Sequence, residues 1–328
     1  MTDEKTQVWV YRTSPGSLSE DFRRMLLTSD FRTLNPNQRT LIKVNANYDK
    51  DWPGCNTSPW FLRSLLRCLR QLRFKDITVI EGDLKRQPAL STIDAIGLRR
   101  ILDEFGVNFV PLENGARIEE LPALLENAQL ISTPVMHTHT FAVISVAAKN
   151  LYGLLPLYRE KYHCVLSEKL IELSRRVKVF TIVDGTVGVQ GGSMRLGSPL
   201  RTDLLLAGWD PISMDVISAQ IMGFSIDEIP YLSLAKDRGL IPSVKVMGDF
   251  TSRDLPTYDF SFESSFLSMI DIRLRSSTMT RSLFEYGSFP DSLGNALRRR
   301  YTEILYNIRK HRVYKGSWTE YRMACEER

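Results

Sequence analysis

Apolar residues recur along this chain in two alternating rhythms. Short runs rich in β-branched residues read as strands: RTLIKVNA (39–46), DITVIEGD (76–83), VNFVPLE (107–113) and QLISTP (129–134). Between them lie segments with helical spacing. In the helix that begins at Pro59, Leu62, Leu65, Leu66, Leu69 and Leu72 form one face, and Arg63, Arg67 and Arg70 lie opposite as a solvated face. Asn56, Thr57 and Ser58 precede it, and proline suits a first turn. STIDAIGLRRILDEFG (91–106) reads as one helix closed by Gly106. The order β-α-β-α-β predicts a mostly parallel sheet covered by helices.

The second half repeats the style. Residues 166–177 read as a helix, 177–184 as a buried strand ending on Asp184, and 202–208 as another strand. Pro211 opens a helix that Gly223 closes, 226–238 is a further helix, and SVKVMGDF (243–250) supplies a last strand. Beyond Asp249 the rhythm loosens. A terminal helix around 291–310 places Leu293, Leu297, Tyr301, Ile304, Leu305 and Ile308 on one face. The expected architecture is α/β: mostly parallel sheets with flanking helices, in two lobes (1–130 and 131–250), plus a C-terminal helical extension (251–328) packed on the core. A chain of 328 residues favours two lobes over one small core.

Composition narrows the class. Apolar content of 43% and charged content of 25% exclude disorder and collagen-like structure. No apolar run is long enough for a spanning helix, so no membrane role is expected. The polar, acidic start MTDEKTQVWVYRTS is unlike a signal peptide. Cys55, Cys68, Cys164 and Cys325 form no CxxC pair, which fits a reduced, cytoplasmic compartment and no disulfide framework. A net charge of +5 is too small to demand nucleic acid. Basic residues do concentrate at Arg298–Arg300 and Arg309–Arg312, interleaved with Tyr301, Tyr306 and Tyr314. Nucleic-acid binding still ranks last, because basic terminal helices are commonly solvated faces or dimer rims. A homodimer is compatible with this pattern.

Reactive groups gather where such sheets place active sites, beyond the carboxyl ends of the strands. Those ends carry Lys43 and Asn45, Glu81 and Asp83, Glu113, and then His137 and His139. Residues i and i+2 of a strand share a face, so an extended 136–139 puts both imidazoles together. Imidazole titrates near neutrality and ligates metals. A divalent metal on His137 and His139 needs a third ligand, for which Glu81, Asp184 or His163 is available. The glycines at 185, 188, 191, 192 and 197 form no GxGxxG and no GxxxxGK[ST], and a strand follows them, so a nucleotide loop is not indicated. A hairpin-like connection, or close backbone approach to a ligand, explains them equally well.

The ordered motifs resemble the family called domain of unknown function 362. KVN (43–45) with GCNTSPWFL (54–62) resembles its Lys-Pro-Asn strand end and Pro-led helix, and VIEGD (79–83) its acidic strand end. STPVMHTHTF (132–141) resembles its Pro-Lys-x-Lys-Thr-His element, and AAKNLYGLLPLYREKYH (147–163) its Lys-Asn-x-x-Gly stretch with a following Arg and His. IVDGTVGVQGGS (182–193), AGWDPISMDVISAQIMG (207–223) and LAKDRGL (234–240) resemble its Asp-Gly turn, its Asp-Pro-x-x-x-Asp helix and the turn after it. The likeness spans roughly residues 39–250. Val44 replaces a proline, His137 a lysine, and Gln190 an acidic residue. Longer relatives carry iron–sulfur modules; this chain lacks the cysteine spacing for a cluster of its own.

The resemblance implies a fold and a pocket rather than a reaction. The residues point to an enzyme acting on a small anionic carboxylate or phosphate by acid–base or metal-assisted chemistry, as an isomerisation, proton transfer or redox step. His137, His139, Lys149 and Asp184 are the catalytic candidates. Lys43, Asn45, Thr57, Asn150, Arg159 and Asp215 are the substrate-binding candidates. The alternative is a non-catalytic ligand-binding or assembly partner of a separate iron–sulfur or redox protein.

Overall fold

The computed structural model describes residues 5–84, 87–112, 120, 125–156, 165–192, 197–262, 289–313, 315–316 and 318–326. The strands are β1 (Thr6–Arg12), β2 (Arg39–Val44), β3 (Ile77–Gly82), β4 (Asn108–Leu112), β5 (Ala128–Thr133), β6 (Val135–His139), β7 (Val143–Ser145), β8 (Phe180–Gln190), β9 (Ser198–Gly208) and β10 (Val244–Gly248). They form one hydrogen-bonded sheet in the order β10-β1-β9-β8-β5-β2-β3-β4, with β6 and β7 branching from β8. Neighbours are parallel except in the β1–β9, β8–β9 and β6–β7 pairs. Strands from segments 1–130 and 131–250 thus share a single sheet.

Strand alternation sorts the core into two layers. Val8, Val10, Leu41, Leu130, Val183, Leu204 and Leu206 face one layer. Their chain neighbours Trp9, Tyr11, Ile42, Ile131, Ile182, Leu205 and Ala207 face the other. The second layer is covered by α1 (Leu18–Thr28), α2 (Pro59–Gln71), α3 (Ala89–Ala95) and α4 (Leu98–Phe105). Leu62, Leu65, Leu66 and Leu69 of α2 are fully buried there, which stabilises by roughly 2 kcal/mol apiece. The first layer is covered by α5 (Ala147–Leu151), α6 (Leu166–Arg176), α7 (Pro211–Met222) and α8 (Pro230–Asp237). Helix α7 is buried almost all round, capped by Asp210 at its start and by left-handed Gly223 at its end. The C-terminal helical extension is α9 (Phe289–Val313) and α10 (Thr319–Glu326), which sends Trp318 and Tyr321 into the second layer.

Four expectations need correction. The helix expected over 91–106 is two helices, because Gly97 adopts a left-handed φ of 79° between them. The helix expected over 226–238 is a 3-10 turn (Ile226–Glu228) followed by α8. The strand expected to end at Asp184 continues to Gln190, so Asp184 lies inside β8 and Gly185 and Gly188 are strand residues. The apolar side of α9 is not wholly packed: Tyr301, Ile304 and Ile308 are exposed, and Leu293 and Leu297 lie outside the described side chains.

Candidate functional site

The expected residues fall into three groups. The first surrounds an ion pair at the ends of β2 and β3. The Lys43 ammonium donates to Glu81 Oε1 at 2.5 Å and to the Val44 carbonyl at 2.9 Å. Glu81 also accepts from the backbone N–H of Ala46 and Gly82. Both side chains are 1% exposed. Gly153 packs on the pair, and a Cβ there would lie 2.7 Å from Lys43 Nζ. Asn45 and Thr57 bond to each other: the Asn45 N–H donates to Thr57 Oγ1, and the Thr57 N–H to the Asn45 carbonyl. Thr57 Oγ1 in turn donates to the Thr133 carbonyl at 2.6 Å, tying the loop before α2 to β5. Asn150 donates to Ser132 Oγ at 2.9 Å and to the Lys43 carbonyl at 3.4 Å.

The second group consists of two fully buried carboxylates. Asp184 accepts from the Ser58 N–H at 3.0 Å and from the Thr186 hydroxyl at 2.6 Å. Trp60 Nε1 donates to that same hydroxyl. Burial raises the Asp184 pKa against the pull of these bonds. Asp215, on α7, accepts from the N–H groups of Ala147 (2.6 Å) and Ala148 (3.0 Å) and from the Tyr231 hydroxyl (2.8 Å). Burial pushes its pKa up to about 7, opposed by those three donors. Its oxygens therefore hold the first turn of α5, the helix that carries Lys149 and Asn150.

The third group is the histidine strand. His137 is 2% exposed and His139 half-buried, with ring centroids 6.5 Å apart. The two rings are tied to backbone in opposite senses. His137 Nδ1 faces the Thr138 carbonyl at 3.2 Å, which can only accept, so the proton sits on Nδ1 and Nε2 keeps its lone pair. His139 Nδ1 accepts from the N–H of Phe141 (3.1 Å) and Ala142 (3.4 Å), so its proton sits on Nε2. Burial, opposed by the bond to the Thr138 carbonyl and helped by the nearby Lys149 cation, lowers the His137 pKa to about 4. Lys149 itself lies over the Tyr152 ring at 4.6 Å.

Glu113, Arg159 and His163 lie outside the described residues. Among the described residues no group of three or more His, Cys, Asp or Glu is arranged to hold a metal ion. Glu81 is engaged by Lys43 and two backbone N–H groups. Nothing in the sequence singles out Tyr231 or Thr186 as site residues, whereas Ser58 stands directly before the Pro59 helix and Gly153 closes the KNLYG stretch.

Residues 40–220 match the family described as domain of unknown function (DUF362). This is more than half of the chain, and the chain belongs to that family. No curated protein matches it. No helix among the described residues is long and apolar enough to cross a membrane.

Proposed function

We propose that the protein is an enzyme that binds a small carboxylate or phosphate beside β6 and α5 and moves a proton on it. One observation carries the reading: His137 and His139 are fixed in opposite tautomers by backbone partners. His137 offers an unprotonated Nε2 as a base, and His139 offers an Nε2–H as a donor. Lys149 supplies a cation for the substrate's anionic group. A bound anion raises the His137 pKa from its low resting value, which makes the imidazole a better base once substrate is present. Asp215 keeps α5 in place and is a positioning residue in this scheme.

The test is a turnover screen on small carboxylates and phosphates, with His139→Ala and His137→Gln beside the wild type. Loss of about 10²–10⁴-fold in a variant that keeps its melting temperature is the expected result. Turnover that survives in a folded His139→Ala overturns the assignment. Elemental mass spectrometry on the wild type and the double alanine variant separates two versions of the chemistry. Stoichiometric metal that vanishes in the variant makes the histidines ligands; no metal in either leaves direct acid–base work.

An assembly role has one observation in its favour. Tyr301, Ile304 and Ile308 are exposed along one side of α9, and Met323 is exposed on α10. Co-purification of a cluster-bearing protein at one-to-one stoichiometry supports that role, and its absence counts against it.

A further inference from the structure

A cavity lined by neither histidine lies where the C-terminal extension meets the family core. Its volume is about 390 Å³, which is within the usual range of small-molecule sites. Its cations are Arg201 of β9 with Arg309 and Arg312 of α9, and its apolar walls are Trp52 and Trp318. No acidic side chain lines it among the described residues.

We propose that this cleft is a binding site for a phosphate-bearing small molecule, completed by the extension. Arginines suit a dianion or polyanion, since a guanidinium presents a planar fork of donors to phosphate oxygens, and Arg201 adds a third cation beside Arg309 and Arg312 on the same cavity. Arg201 is held in place from behind. Its Nε donates to both carboxylate oxygens of Asp203 at 2.7 and 2.9 Å, and its Nη1 to Glu320 at 2.7 Å. Asp203 is steadied in turn by the Tyr321 hydroxyl at 2.7 Å. Asp203 and Glu320 offset part of the charge of Arg201, and Arg309 and Arg312 add two further cations from α9. Both belong to the exposed part of α9.

The walls are rigid. Trp52 Nε1 donates to the Gly197 carbonyl, and Trp318 Nε1 to the Val313 carbonyl. Trp318 is also stacked on Trp60, with ring centroids 6.2 Å apart. These buried indoles shape a cavity for one compact ligand. Because Arg309, Arg312 and Trp318 lie beyond the family-matched residues 40–220, the extension adds this site to the family core.

Isothermal titration with inorganic pyrophosphate on the full chain tests the proposal. Binding that weakens at least tenfold in Arg312→Ala and further in Arg309→Ala/Arg312→Ala, but is unchanged in His139→Ala, is the expected result. Both arginines are exposed, and thermal melting checks that the variants stay folded. No binding to the wild type, or undiminished binding in the double variant, overturns the proposal. A single-stranded oligonucleotide that binds where pyrophosphate does not also overturns it, in favour of nucleic acid.

Discussion

Lys43 and Glu81 form an ion pair at 2.5 Å with both side chains almost wholly excluded from water. The ends of adjacent parallel strands bring them together. Removing one partner leaves a buried, uncompensated charge, which costs about 3–5 kcal/mol. Glu81→Ala should therefore destabilise by that amount in urea unfolding. Lys43→Met/Glu81→Gln should recover part of it. The ammonium is then gone, while the amide oxygen still accepts from the Ala46 N–H. A double variant no more stable than Glu81→Ala would mean that the pair is not the source of the loss.

Asp215 gives a pH signature. Its pKa is pushed from 3.8 up to about 7 by burial. Between these values the folded state binds more protons than the unfolded state, so this group's contribution is full below about pH 4 and falls as pH rises towards 7. Asp215→Asn should remove that falling component. The measurement is unfolding free energy at several pH values for wild type and variant, read as the difference in slope. The same substitution should weaken the hold on α5 and so lower the affinity for an anion at Lys149.

How far this was legible depends on the interaction. Strands β2 to β5 and the leucine face of α2 follow from local period, and they appear where that period puts them. The break at Gly97 did not, because an isolated glycine within a helical pattern does not say whether its φ is positive. The glycine after Asp184 makes that residue look like a strand end. The strand in fact continues, and the glycines serve close packing. The role of Asp215 depends on partners distant in the chain, Ala147 and Ala148, and on Tyr231 of α8. No local pattern encodes such a meeting. The histidine pair was legible as a shared strand face, but the tautomers required the backbone around Thr138 and Phe141.

His137 titrates in the opposite sense to Asp215. Burial lowers its pKa from 6.5 to about 4. Below pH 6.5 the unfolded chain binds the proton more readily, so stability is lost as pH falls from about 6.5 to 4. The full shift corresponds to about 3 kcal/mol. His137→Phe should flatten this limb, and NMR titration of the ring should show no protonation above pH 5. A ring that titrates near 6.5 would refute the burial argument.

Two bare backbones cross where the loop before α2 meets β8. A Cβ on Gly54 would lie 2.7 Å from the carbonyl carbon and oxygen of Gly188, and Gly54 itself has a φ of 76°. A Cβ on Gly188 would meet the Met136 carbonyl oxygen at 2.8 Å and Phe260 at 2.7 Å. The obstacles to both include backbone atoms, which cannot swing aside as a side chain does. Overpacking costs roughly 1–3 kcal/mol, and at Gly54 the left-handed φ adds about 1 kcal/mol more. Gly54→Ala should therefore destabilise more than Gly188→Ala in matched urea unfolding. By contrast, Gly16→Ala, with open space around its Cβ, should change stability little. Because β6 carries Met136 and the histidines, Gly188→Ala should also disturb the His137 ring environment in NMR spectra. A Gly188→Ala protein with unchanged stability and unchanged histidine signals would show that this crossing does not set the position of β6.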